Sequence, residues 1–209
     1  MKIAIVGTAP TSNMHAPYND PEWTIWSLGN NYDKIPRWDL WFEFHSVRHL
    51  KSIGVTTPHF KNMADNGEKL VLMEPEEEYP LAKIFPRQEI IEKYGSYFTS
   101  TIAWLLGLAI HSGADEIGLW GINMASKEEY LRQRAGCEYL IGLAQGKGIG
   151  VTIAENSPIL KAPLYPDELA TELENRAMSA QQAMERMRDQ YNHQRGACDM
   201  LEDMRITRG

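Results

Sequence analysis

Apolar side chains run through the first 160 residues in short blocks, each closed by glycine or polar residues. Lys2-Ile3-Ala4-Ile5-Val6 is β-branched and is broken by Gly7-Thr8-Ala9-Pro10-Thr11-Ser12, the pattern of an interior strand and its exit loop. Thr24-Ile25-Trp26-Ser27-Leu28 stops at Gly29-Asn30-Asn31, and Leu40-Trp41-Phe42-Glu43-Phe44 stops at His45, which predicts two further strands. Leu70-Val71-Leu72-Met73 is a fainter fourth, closed by Pro75 and the run Glu76-Glu77-Glu78, read as a solvated loop. Ile102 to Ile110 is apolar almost all round, as expected of a helix buried against a sheet, with Thr99-Ser100-Thr101 to cap it and Gly113 to end it. Glu116 to Trp120 predicts a strand with Gly121-Ile122-Asn123-Met124 as its exit loop. Lys127 to Gln145 predicts an amphipathic helix carrying Tyr130, Leu131, Tyr139, Leu140 and Leu143, and Gly148 to Ile153 adds a last strand. Strands alternating with helices predict an α/β domain over residues 1–156, a mostly parallel sheet with helices on both faces.

Beyond this the period changes. Residues 157–166 contain three prolines and read as a connector. In residues 167–209, Leu173, Ala177, Ala180, Met184, Met187, Tyr191, Gln194, Cys198 and Leu201 recur at alternating four- and three-residue steps, the seam of a long helix on a partner helix. Self-association through this tail is the expectation, although Ala, Gln and Cys weaken the seam and Gly196 costs about 1 kcal/mol of helix propensity.

Composition narrows the partners. The 209 residues carry 28 acidic against 21 basic side chains, a net charge of -7, which repels a phosphate backbone and argues against duplex DNA. Two cysteines and a first strand in place of a secretory leader fit a reducing, cytoplasmic setting. The most apolar stretch is too short to span a bilayer, so no membrane segment is expected.

In an open parallel sheet, ligands bind beyond the carboxyl ends of the strands, where the exit loops converge. Gly7, Thr8, Pro10, Thr11 and Ser12 offer a close-approaching backbone and hydroxyls to a phosphate, and Thr99, Ser100 and Thr101 offer the same at a helix start. Plain turn and capping chemistry accounts for the same residues. Neither G-x-G-x-x-G nor the Walker pattern is present. Asn30 and Asn31 suit a base or sugar as well as a turn. Glu43 and His45 fall on one face of a strand end, where a carboxylate can orient an imidazole as a general base or simply satisfy it. A zinc role for His45 with His49 lacks a third ligand. Arg132 and Arg134 on a helix reach either phosphate or solvent. Cys137 reads as a structural thiol, and the tryptophans mostly as core.

These residues resemble something known. Ile-Val-Gly-Thr-Ala-Pro-Thr-Ser at 5–12, Trp-Ser-Leu-Gly-Asn-Asn at 26–31, Pro-Arg-Trp-Asp-Leu-Trp-Phe-Glu-Phe-His at 36–45 and Tyr-Phe-Thr-Ser-Thr-Ile-Ala-Trp-Leu at 97–105 look like a group of bacteriophage proteins of uncharacterised activity. More distantly the plan is similar to family-42 sialyltransferases and archaeal-type pterin pyrophosphokinases, Rossmann-like enzymes that bind a nucleotide at the sheet edge. That resemblance implies that Gly7 to Ser12 matches a Gly-Pro-Ser loop, that Asn30 or Asn31 matches an asparagine after the second strand, and that Thr99 to Thr101 matches a Thr-Ser helix start. Gly121-Ile122-Asn123 matches a Gly-Ile-Asp loop, with Asn123 replacing the acid. The sialyltransferases' late catalytic histidine has no counterpart before the tail, where His193 lies in the heptad region.

The expectation is therefore a Rossmann-like domain that binds a nucleotide or nucleotide-sugar and transfers a group from it. In this reading Thr8, Thr11, Ser12 and Ser100 hold phosphate, Asn31 and Asn123 read base or ribose, and His45, oriented by Glu43, takes a proton from the acceptor. No cofactor is expected, and Mg²⁺ would arrive with the ligand's phosphates. Alternatives are a pyrophosphokinase-like transferase, a non-catalytic protein that sequesters a host signalling nucleotide in the host cytoplasm, and an assembly protein acting through its tail.

Overall fold

The structure is a computed structural model that describes residues 1–124, 128–161, 176–182 and 184–189, together with 191 and 195. It divides into a unit spanning Met1–Leu160 and a second spanning Lys161–Gly209. The first contains β1 (Lys2–Val6), β2 (Trp23–Leu28), β3 (Leu40–Glu43), β4 (Leu70–Leu72), β5 (Lys83–Ile84), β6 (Glu116–Trp120) and β7 (Gly150–Ile153). Its helices are α1 (Val47–Ser52), α2 (Thr57–Asp65), α3 (Arg87–Tyr94), α4 (Thr101–His111) and α5 (Glu128–Gly146).

All seven strands are parallel, in the order β5-β4-β3-β2-β1-β6-β7. The interior strand β1 is apolar on both faces because both faces are covered. Ile3 and Ile5 join a core under α3, α4 and α5 that includes Leu105, Leu106, Leu119 and Ile141. Ala4 and Val6 face the other way, against Tyr18, Trp23 and Ile25. On that second face α1 and α2 cover only β3 and β4, with Val47, Leu50 and Met63 packed on Trp41, Leu70 and Leu72. The loops before and after β2 cover the rest, burying Ala16, Tyr18 and Ile35 against β1 and β2. Arg37, in the second of these loops, ties it to the first by donating to the carbonyls of Tyr18, Asp20 and Trp23 while pairing with Asp39 at 3.0 Å. Asp39 in turn accepts from the backbone N–H of Ile25 at 2.7 Å, tying the loop to β2.

The apolar wheel of α4 is explained by its place between the sheet, α3 and α5, and burying Leu105 and Leu106 fully contributes about 2–3 kcal/mol each. In α5 the core face is Cys137, Leu140, Ile141 and Ala144, whereas Tyr139 points outward beside Tyr97, with ring centroids 5.9 Å apart. The expected apolar face was therefore displaced by one residue at Tyr139, since neighbours on a helix lie about 100° apart. Trp23, Trp26 and Trp41 are buried core. Of the acidic loop, Glu76 accepts from the N–H of Val47 and Glu78 pairs with Lys51.

The first unit runs on to Leu160, four residues into the expected connector. Ser157 donates to the carbonyl of Ile122 at 2.7 Å, Ile159 is buried, and Arg134 bonds both Glu138 and the carbonyl of Pro158. In the second unit, residues 176–182 and 184–189 are helical, with Met178, Met184, Met187 and Tyr191 exposed. Leu173, Gln194, Cys198 and Leu201 of the expected seam, and His193, lie outside the described residues. Among the described residues no helix is long and apolar enough to cross a membrane.

Candidate functional site at the β1–β6 switch point

β1 has β2 on one side and β6 on the other, so the chain order reverses between β1 and β6 and their exit loops part to leave a crevice. The floor of that crevice is a close backbone crossing. Gly7 N–H donates to the carbonyl of Trp120 at 2.8 Å and Ala9 N–H to that of Gly121 at 2.8 Å, which extends the ladder past both strands. A Cβ on Gly7 would lie 2.4 Å from the Gly121 oxygen, and one on Gly121 would lie 2.5 Å from the Gly7 oxygen and 2.8 Å from the Cβ of Asn13. Gly121 also has φ +65°, a left-handed conformation that favours glycine.

Above this floor opens a cleft of about 580 Å³, lined by the Gly7–Pro10 loop, Leu28, His45, the Ser100–Ile102 helix start, the Gly121–Met124 loop and Gln133. Ser100 is the N-cap of α4: its Oγ accepts from the Ala103 N–H at 3.1 Å and lies 3.3 Å from the sulfur of Cys137. The first N–H groups of α4 have no partner one turn earlier, so the positive end of the helix lies at the cleft. Burial pushes the Cys137 thiol up to about 11, which leaves it un-ionised at neutral pH and a poor nucleophile. Met124, at the other lip, holds φ 47°, the left-handed region uncommon for a side chain of its size.

His45 is the one ionisable side chain among the described lining residues. It sits between β3 and α1, where Ser46 caps α1 by accepting from the His49 N–H. Its side chain is 57% exposed, and its Nδ1 lies 2.8 Å from Oε1 of Glu43, which is 4% exposed. The same oxygen accepts from the His45 backbone N–H at 3.1 Å, and Oε2 lies 3.2 Å from Nε2 of His59. Burial by itself would push the Glu43 carboxyl up, but its hydrogen bonds with the two histidines outweigh this and hold it at about 2. The bond to Glu43 raises the imidazole of His45 above its ordinary value, against a smaller lowering by burial. The arrangement can hold an imidazole in one tautomer with its Nε2 free of protein hydrogen bonds among the described residues.

The expected site residues sort into three groups. Gly7, Thr8, Pro10, His45, Ser100, Thr101, Gly121 and Asn123 all line the cleft. Ser12 and Asn31 lie buried beneath its floor: Ser12 Oγ accepts from the Gly121 N–H at 2.8 Å, and Asn31 Nδ2 donates to the Gly7 carbonyl at 2.6 Å. Ser12 Oγ and Asn31 Nδ2 hold the two loops, while the buried Oδ1 of Asn31 has no hydrogen-bond partner among the described residues. Thr11 is bonded to Asn123, whose Nδ2 donates to its hydroxyl at 3.0 Å, Thr99 donates to the carbonyl of Gln133 at 2.9 Å, and Asn30 is exposed on the turn after β2 and away from the cleft lining. Ala9, Leu28, Ile102, Ile122, Met124 and Gln133 complete the lining and were missed, as was His59. The signal for His59 was its four-residue step from Met63, which places both on the buried face of α2.

No family model and no curated protein matches the chain. Among solved structures it is similar to the sialyltransferase CstII from Campylobacter jejuni in complex with the substrate analogue CMP-3FNeuAc, at 12% identity and TM-score 0.50, covering 75% of this chain and 81% of that one. A point variant of the α-2,3/8-sialyltransferase CstII gives 16% identity and TM-score 0.50, over 79% and 90% of the two chains. At these identities the likeness establishes a shared α/β fold.

Proposed function

We propose that the cleft binds a nucleotide or nucleotide-sugar and transfers a group from it to an acceptor hydroxyl. The observation that carries this reading is the meeting, at one switch-point crevice, of a backbone cradle suited to phosphate and an exposed imidazole backed by a buried carboxylate. The fold shared with a sialyltransferase described in complex with a CMP-sugar analogue adds support at the level of architecture. In the reaction, Nε2 of His45 takes the acceptor's proton, the acceptor oxygen bonds to the donor carbon, and the bond from that carbon to the phosphate oxygen breaks. The leaving phosphate keeps the electron pair, and the N–H of Thr8 and the first N–H groups of α4, with the hydroxyls of Thr8 and Ser100, stabilise its charge. The described lining residues include no carboxylate, so a divalent ion would be held by the ligand's own phosphates.

A panel of nucleotides and nucleotide-sugars tests this by thermal shift and mass spectrometry. A donor at a hundred times its Kd stabilises the fold by about 2.7 kcal/mol, and for a unit of this size the melting point is expected to rise by roughly 5–10 °C. That donor should be consumed when an acceptor is present. A ligand retained but never converted would favour sequestration, and a flat panel would remove the reading.

The exposed Met184, Met187 and Tyr191 support pairing of the tail with a second copy of this chain. Replacing Met184 and Met187 together by lysine in the full chain is expected to halve the mass measured in solution by light scattering. An unchanged mass would count against the pairing.

A further inference from the structure

Glu43 carries two imidazoles, and the reaction proposed above uses only one. His59 is nearly as deeply buried as the acid itself. Its ring stands edge-on to Trp41 with centroids 5.2 Å apart, and Tyr32 at 5.6 Å and Phe60 at 6.0 Å flank it, so aromatic walls on three sides set its plane. A phenylalanine would fill that space without the cost of burying a polar ring. What the imidazole adds is one hydrogen bond, to the carboxylate oxygen that His45 leaves open.

We infer that His59 is a positioning residue that donates its Nε2–H to Glu43, keeps the carboxylate ionised in a fixed plane, and so sets the tautomer and orientation of His45. The inference rests on the reading of His45 as the base. An ionised carboxylate only accepts hydrogen bonds, so both imidazoles must present an N–H to it. The Nδ1 of His45 then carries the proton, and Nε2 keeps its lone pair for the acceptor. During transfer the charge on His45 changes, whereas the bond from His59 does not, and a carboxylate held from the far side stays put while its partner cycles. It is the same relation by which a carboxylate behind a metal-binding histidine fixes that ring, extended by one group.

Other ionisable groups packed around the three are His49, stacked on His45 with centroids 5.4 Å apart, Glu76 on the N–H of Val47, Tyr32 against His59, and Tyr79 in the same buried cluster. Among the described residues none of these is hydrogen-bonded to Glu43, which accepts only from His45 and His59.

The test is ¹⁵N and ¹³C NMR on the full chain. In the wild type, His59 is expected as the Nε2–H tautomer and His45 as Nδ1–H. His59→Phe keeps the ring volume without the donor, and should lower the pH at which His45 titrates and raise that of Glu43, while His59→Gln restores an N–H and most of both shifts. With a processed donor, His59→Phe should lower kcat on the order of tenfold, the range seen when a group orienting a ligating histidine is lost, with KM within about twofold. A bare Nε2 on wild-type His59 would overturn the inference without any variant. Equal His45 midpoints in wild type and His59→Phe, with a lowered midpoint in Glu43→Gln, would reduce His59 to packing and overturn it too. The underlying reading fails separately, if His45→Ala turns over donor at the wild-type rate while tautomers and titrations behave as stated.

Discussion

Gly121→Ala should cost the first unit about 2–5 kcal/mol and close the cleft with it. Two terms add. An L side chain in the left-handed region costs roughly 1–2 kcal/mol, and forcing a methyl into a filled space costs roughly 1–3 kcal/mol. The space is filled by backbone, with the Gly7 oxygen 2.5 Å from the new carbon, so no side-chain rotation relieves it. The exit loops of β1 and β6 would have to separate, breaking the bond from Ala9 N–H to the Gly121 carbonyl and the one from Gly121 N–H to Ser12. Gly148→Ala is the control, because Gly148 also has positive φ but a Cβ there meets nothing within 4 Å. Urea denaturation should show Gly148→Ala losing only the conformational share. If the two variants lose equal stability, the crossing does not hold the site together.

His45→Ala is expected to lower turnover of a processed donor by about a hundred- to ten-thousand-fold, the usual contribution of a positioned base, while donor affinity stays near the wild-type value. The pH profile gives the sign. His45 acts in its neutral form, so activity rises with pH as the imidazole loses its proton, and the rise should centre above the ordinary histidine value because Glu43 favours the charged ring. Glu43→Gln should move that limb to lower pH and depress the plateau. Stability follows the same groups in opposite windows. The bond of His45 to Glu43 contributes below the ordinary histidine value and is lost as pH rises through the raised one. The ionisation of Glu43 contributes above the ordinary carboxylate range and is lost as pH falls toward about 2. A profile for Glu43→Gln that overlays the wild type would remove the carboxylate from the mechanism.

What the chain order alone determined was the ladder of elements that are long or apolar on both sides. The strand at Lys2–Val6, those ending at Leu28 and Glu43, the helix around Leu105 and the strand before Gly121 are all legible, because a covered parallel sheet demands continuous apolar runs and sharp polar stops. The same strand stops pointed to Gly7, His45 and Gly121 as edge residues, and the start of the apolar helix pointed to Ser100. The short elements α1, α2, α3 and β5 escaped, since their form is set by packing on β3, β4 and α4 more than by local pattern.

Tertiary structure decided which polar atoms stay available. Ser12 and Asn31 are chemically as fit for a ligand as Thr8, but their bonds to Gly121 and Gly7 join positions 109 and 24 residues apart, and no local pattern reports such a pairing. The second imidazole on Glu43 belongs to the same class: His59 reaches it from α2, 16 residues along the chain. Periodicity reports which face of an element is buried, while the partner met there depends on how strands and helices are ordered in space.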